Sequence, residues 1–224
     1  MKIIKIFVLA LVAVLSNKSS ALSQNLNWGS LKPAQRHILN VNAGYDYAFT
    51  YGVGYAYQLK TKFPIMLNLE HSQPAGEDIF DDFKTKIGGQ IRVYQIKNFH
   101  FTAKIHGVFR RYENDYVRLV NFGSDMSAII GYYKSKWFVA GEFGFDKAIV
   151  TNFKHSDVFK EDFPQVKDGW YEPATGGNFH YGLQTGLSFD KSDITLTVGK
   201  VVQQDFKTDP TMPLYLQLGY NRKF

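Results

Sequence analysis

The chain contains no cysteine, which excludes a disulfide scaffold, cysteine-ligated zinc, a thiol nucleophile and a lipid-modified N-terminal cysteine. Proline is sparse, 7 in 224 residues. Pro64 and Pro213 are expected at strand starts and the other prolines outside strands. Beyond the N-terminus there is no apolar run of about 18 residues or more, so no transmembrane helix is expected. Charge is not extreme. Charged residues make up 21% and hydrophobic ones 45%, which excludes global disorder. Abundance lies in the aromatics, with 19 Phe and 14 Tyr beside 3 Trp. The length fits one domain.

The N-terminus reads as a secretory signal. Lys2 and Lys5 precede an apolar run at 6–15, followed by polar and small residues ending Ala21-Leu22-Ser23. The run is too short for a stable bilayer-spanning helix. Cleavage after Ser23 leaves Gln24 first, and cleavage after Ala21 fits nearly as well. The expected organisation is a signal peptide at 1–23, a short periplasmic segment at 24–36 and a β-barrel at 37–224. Removing the leader, with Lys2, Lys5 and Lys18, lowers the formal charge from +6 to +3. That is too mild to argue for a nucleic-acid surface, and no nucleic-acid partner is expected.

From His37 onward, ten segments alternate apolar and polar residues with the period of a strand. The fifth sets Phe99, Phe101, Ala103, Ile105 and Phe109 against His100, Thr102, Lys104, His106 and Arg110. Tight links are expected at 60–62, 96–98, 134–135 and 190–193. Long ones are expected at 72–82, 111–123, 148–177 and 205–212, and the link at 48–50 is short for its side. Spans of about 9–11 residues suit tilted membrane-crossing strands. An even number of antiparallel strands with tight turns at one end and long loops at the other predicts an all-β, ten-stranded, up-and-down transmembrane barrel. Val198-Gly199-Lys200-Val201-Val202 breaks strict alternation and suggests a bulge at 199–200.

Alternation alone also fits a soluble sandwich or lipocalin-like barrel. Two features favour an inside-out barrel. Glycines such as Gly44, Gly88, Gly144, Gly182 and Gly199 gather on the polar face, where a crowded concave lumen needs small residues. The apolar face carries more side chains than a ten-stranded barrel can hold inside. Its aromatics form two groups, Tyr57, Phe63, Phe99, Phe101, Tyr132, Trp137, Phe189 and Tyr220 at the tight-turn end, and Tyr45, Tyr47, Tyr51, Phe83, Phe109, Phe143, Phe145 and Phe179 at the other. Paired girdles of this kind suit two headgroup levels.

With this leader, these segments and its last strand, the chain resembles the Gram-negative outer-membrane β-barrel proteins. Leu214, Leu216, Leu218, Tyr220 and Phe224 match the amphipathic terminal strand with a final phenylalanine, and Arg222 departs from it. The resemblance implies location in the outer membrane. It also implies contact with its lipid and lipopolysaccharide, and recognition of Leu216, Leu218, Tyr220 and Phe224 by the barrel-assembly machinery. It implies no particular activity.

The expected lumen-lining residues are Glu70, Lys84, Lys86, Gln90, Arg92, Lys104 and His106, with Glu142, Asp146 and His180. Glu70 is expected near Lys86. Two readings stand: a lumen filled by ion pairs, or a narrow pathway whose basic wall favours anions. No catalytic residue, metal or cofactor is assigned. His180 with Asp146 is the one rim pair that would suit an outer-membrane enzyme. Loops 111–123 and 148–177 are candidate surfaces for an extracellular ligand or partner, the first through Arg111 and Arg118 toward lipopolysaccharide phosphates. A short helix is expected at Asp157–Asp162. The expected role is non-enzymatic: envelope structure, surface interaction or a narrow pore. The alternatives are an enzyme, or a soluble exported barrel or sandwich that binds an apolar ligand.

Overall fold

Period-two alternation lets one strand present an apolar and a polar edge at once, and here both edges find a use. A computed structural model describes residues 24–45, 48–76, 80–173, 177–207, 210 and 212–224. The leader expectation therefore lies outside the described residues. The elements are β1 (His37–Tyr45), β2 (Phe49–Gln58), β3 (Ile65–Pro74), β4 (Asp82–Ile96), β5 (Phe99–Glu113), β6 (Val117–Tyr133), β7 (Trp137–His155), α1 (Asp157–Asp162), β8 (Gly169–Tyr171), β9 (Gly177–Ser188), β10 (Ser192–Gln203) and β11 (Leu214–Lys223).

Every pairing is antiparallel, and the order runs β1 to β7, then β9, β10, β11 and back to β1. This is a closed, up-and-down, ten-stranded barrel; β8 is an appendage paired with β7 alone. The seam joins the first strand to the last through residues 38–45 and 216–223. Phe224 N–H donates to His37 O at 2.9 Å and extends it.

The polar edges point inward and the apolar edges outward. Asn40, Asn68, Thr102, Thr195 and Gln217 are buried, whereas Ile87 is 66% exposed, Leu183 60% and Ile105 59%. A core-forming side chain of this size forgoes about 1.5–3 kcal/mol when left in water, so the band suits an apolar surrounding. Rings link across neighbouring strands at both ends of the band. Phe99, Tyr132 and Trp137 make one chain, with centroids 5.0 and 5.7 Å apart. Phe83, Phe109 and Phe122 make another, at 5.7 and 5.2 Å.

Inward glycines make room for inward rings. A Cβ on Gly144 would lie 2.3 Å from His180 Nε2, and one on Gly199 would lie 2.3 Å from the Tyr215 ring. The small residues of the polar face thus seat particular large ones.

The structure corrects several boundaries. β5 runs to Glu113 and β6 starts at Val117, so the link expected over 111–123 shrinks to 114–116. Likewise β7 runs to His155, well into the loop expected at 148–177. These extensions carry apolar side chains on both faces, Leu119 and Phe153 toward the vestibule and Phe122 and Ile149 outward, so the period-two signal fades. Pro74 ends β3 rather than lying outside a strand; a strand's end spares it a ladder donor. No bulge occurs at 199–200, where Gly199 and Lys200 pair continuously with Gly182 and Tyr181. Lys200 therefore stays in outward register. The register shifts fall instead between Arg92 and Tyr94 and between Phe122 and Gly123.

Candidate functional site

The lumen has three tiers. At the tight-turn end it is filled by residues 24–28, part of the stretch 24–36 expected as a periplasmic segment, of which residues 29 and 32–34 stay exposed. Gln24, Asn25, Leu26, Asn27, Trp28 and Gln35 are all buried. Leu26 and Trp28 join Ile38, Ala56, Met66, Ile129, Tyr133 and Phe138 in a small apolar core inside the barrel. The plug's amides bind the wall around them. Asn27 Nδ2 donates to Ser188 Oγ (2.7 Å) and Lys134 O (2.9 Å). Asn221 Nδ2 donates to Asn25 O (2.7 Å), and Asn25 Nδ2 reaches Thr197 Oγ1. The Arg92 guanidinium lies 5.7 Å over the Trp28 ring.

Buried charge occupies the lumen wall beside and above the plug. Lys86 Nζ meets Asp125 Oδ2 at 2.5 Å, and Lys104 Nζ meets Glu142 Oε1 at 3.0 Å, all four side chains 8% exposed or less. Each pair bridges an intervening strand. Gln184 Nε2 also donates to Glu142 Oε2. Near the tight turns Lys223 Nζ meets Asp193 Oδ1 at 2.8 Å. Glu70 stands opposite Lys86 in register, yet the lysine stem extends to Asp125. Glu70 Oε1 instead accepts from the Gln24 main-chain nitrogen at 3.1 Å.

The third tier is a vestibule of about 610 Å³ open toward the long-loop end, lined among others by Lys84, Arg110, Asp125, Asp146, Lys147 and His180. Arg110 is paired with Asp82 (3.2 Å). Asp146 accepts from Asn178 Nδ2 at 3.2 Å, and His180 faces Gly144, so the two rim candidates occupy successive inward rungs of the β7–β9 ladder.

All ten sequence-selected lumen residues face inward. Glu70, Lys86, Gln90, Lys104, His106, Glu142 and His180 are buried. Lys84 and Asp146 line the vestibule, and Arg92 caps the plug. Sequence reasoning missed Asp125, Asp193 and Lys223, although each sits at an inward position of its alternation. It also missed Gln24, Asn25 and Trp28, which carry no periodic signal. Leu218, Tyr220 and Phe224 are exposed on the outward edge of β11 and Leu216 is half-exposed there. Arg222, on the same edge, donates to Ser192 Oγ at 3.2 Å.

Beyond the rim, β5 to β8 form a projecting sheet. Ser156 caps α1 by accepting from Phe159 N–H. Asp168 ties this region together, accepting from His155 N–H (2.9 Å), His155 Nδ1 (3.0 Å) and Lys160 Nζ (2.6 Å). The His155 N–H bond, followed by the Lys160 contact, holds the Asp168 carboxyl well below the usual carboxylate range. A depressed carboxylate contributes in full above its unfolded value, near 3.8, and loses that contribution as pH falls through its lower folded value. The projecting region is therefore expected to stay docked at pH 5. Asp168→Ala should loosen it at every pH above about 4, read as faster proteolysis between 156 and 173 with the barrel intact.

No protein-family model and no curated protein matches the sequence. The functional reading accordingly rests on the lumen and the outer face.

Proposed function

We propose that the protein is an integral barrel of a Gram-negative outer membrane, non-enzymatic and closed to passive flow, offering its vestibule and projecting sheet for interaction outside the cell. The observation that carries this reading is the inverted distribution of polarity: a continuous apolar band outside and buried ion pairs inside. A soluble barrel with this outer face would present a large exposed apolar patch, which soluble monomers avoid. The aromatic chains at both ends of the band support the same placement.

The plug and the buried pairs favour the closed lumen over the narrow pore. Outer-membrane lipid would contact the band, and lipopolysaccharide phosphates would meet Arg111 and Lys200 on its outer side. The barrel-assembly machinery would read the outward edge of β11.

The protein is expected to fractionate with outer membrane, to need detergent and to migrate faster on gels before boiling than after. Solubility without detergent would overturn the membrane reading. In planar bilayers the intact protein is expected to be silent in salts of several ion types; discrete conductance steps would overturn the closed lumen.

A further inference from the structure

The lumen's buried charges do not balance. Among the described residues, four carboxylates are buried (Glu70, Asp125, Glu142 and Asp193) against three lysines (Lys86, Lys104 and Lys223). The three lysines close on three different carboxylates. Glu70 is left with a neutral donor, the main-chain nitrogen of Gln24, 3.1 Å away. An ionised carboxylate this deeply buried is costly without a counter-charge. Gln24 itself is 2% exposed, and its Oε1 accepts from Asn68 Nδ2 at 3.1 Å. Lys86, opposite Glu70 in register, acts on it only from a distance, so the chain delivers a backbone nitrogen to the one of these four carboxylates that has no cation in contact.

We propose that the chain is cut between Ser23 and Gln24, and that the α-ammonium group so created is the counter-ion of Glu70 and the anchor of the plug. The inference rests on the export reading. Water, activated by a leader peptidase of the exporting cell, adds across the Ser23–Gln24 amide. Ser23 leaves as a carboxylate, and the Gln24 amine takes up a proton. Among the described buried residues, carboxylates and cations are then equal in number. Cutting after Ala21 instead would carry the charge two residues further along the chain, roughly 7 Å when extended, and leave Glu70 with an amide.

Two experiments test this. Protein isolated from outer membranes of a Gram-negative host is examined by N-terminal sequencing and intact mass, and Gln24 is expected first with a free amine. A chain beginning at Leu22 overturns the proposal while leaving the export reading intact. A chain retaining Met1 overturns both. A Gln24 cyclised with loss of ammonia overturns the counter-ion role, because its lactam nitrogen is uncharged. In the second experiment the 24–224 chain, refolded in detergent with a free or acetylated N-terminus, is compared with the same two forms of Glu70→Gln. Acetylation is expected to lower the melting temperature by about 5 °C or more when Glu70 is present, and to have little further effect on Glu70→Gln. An unchanged melting temperature on acetylating the native sequence overturns the pairing, as does an equal drop in both backgrounds.

Discussion

Leu183→Arg is expected to destabilise the folded barrel by about 2–4 kcal/mol in lipid bilayers, the cost of a guanidinium at the middle of an apolar band. Leu183 is 60% exposed and stands between Gly141 of β7 and Val198 of β10. It packs on nothing inside the barrel. In water such a change at an exposed site stays within about 0.5 kcal/mol. The two surroundings therefore predict different outcomes from one substitution, and urea titration of the refolded protein in liposomes measures which applies. A near-neutral effect in lipid would count against the band as a lipid contact.

The second large effect lies inside. Lys104→Met should cost about 3–5 kcal/mol, because it strands Glu142 in the wall with no neighbouring cation in contact. The two side chains are 2% and 6% exposed and their charged atoms lie 3.0 Å apart. Adding Glu142→Gln should recover most of the loss. The amide removes the stranded charge yet keeps a carbonyl for Gln184, which donates to Glu142 in the native protein. A double-mutant cycle is expected to give a coupling of about 2 kcal/mol or more. Additive losses would mean that water enters the lumen freely at this level, contrary to a closed barrel.

These two sites show what alternation makes legible. Leu183 and Lys104 follow from counting in twos, since a strand with one apolar edge fixes which side chains share a face. Their partners do not follow. Register places Glu70 opposite Lys86, and that pairing is present. The lysine nonetheless reaches diagonally across β5 to Asp125, because a four-carbon stem spans more than one ladder rung. The rim extensions were illegible for the opposite reason. There Leu119 and Phe153 line the vestibule while Phe122 and Ile149 face outward, and with apolar residues on both faces the sequence carries no clear period. The plug is harder still. Gln24, Asn25 and Trp28 take their hydrogen bonds and packing from strands scattered over the whole chain, so no local pattern marks them. Phe138, Tyr133 and Tyr215 point inward against the expectation that aromatics gather outside, each seated where a glycine opens space.

The β1–β11 seam has a consequence for assembly. Asn40 pairs with Asn221 and Val41 with Tyr220, contacts that span nearly all of the barrel's sequence. Local hairpins can form early, but such distant strands meet last, after the largest loss of chain freedom. Until then both strands present unpaired main-chain edges, and such edges invite pairing with other copies. A growing chain is therefore at its most aggregation-prone just before completion. Folding is then a race between seam closure and association, in which crowding by other nascent copies should lower yield more steeply than any single weakened contact.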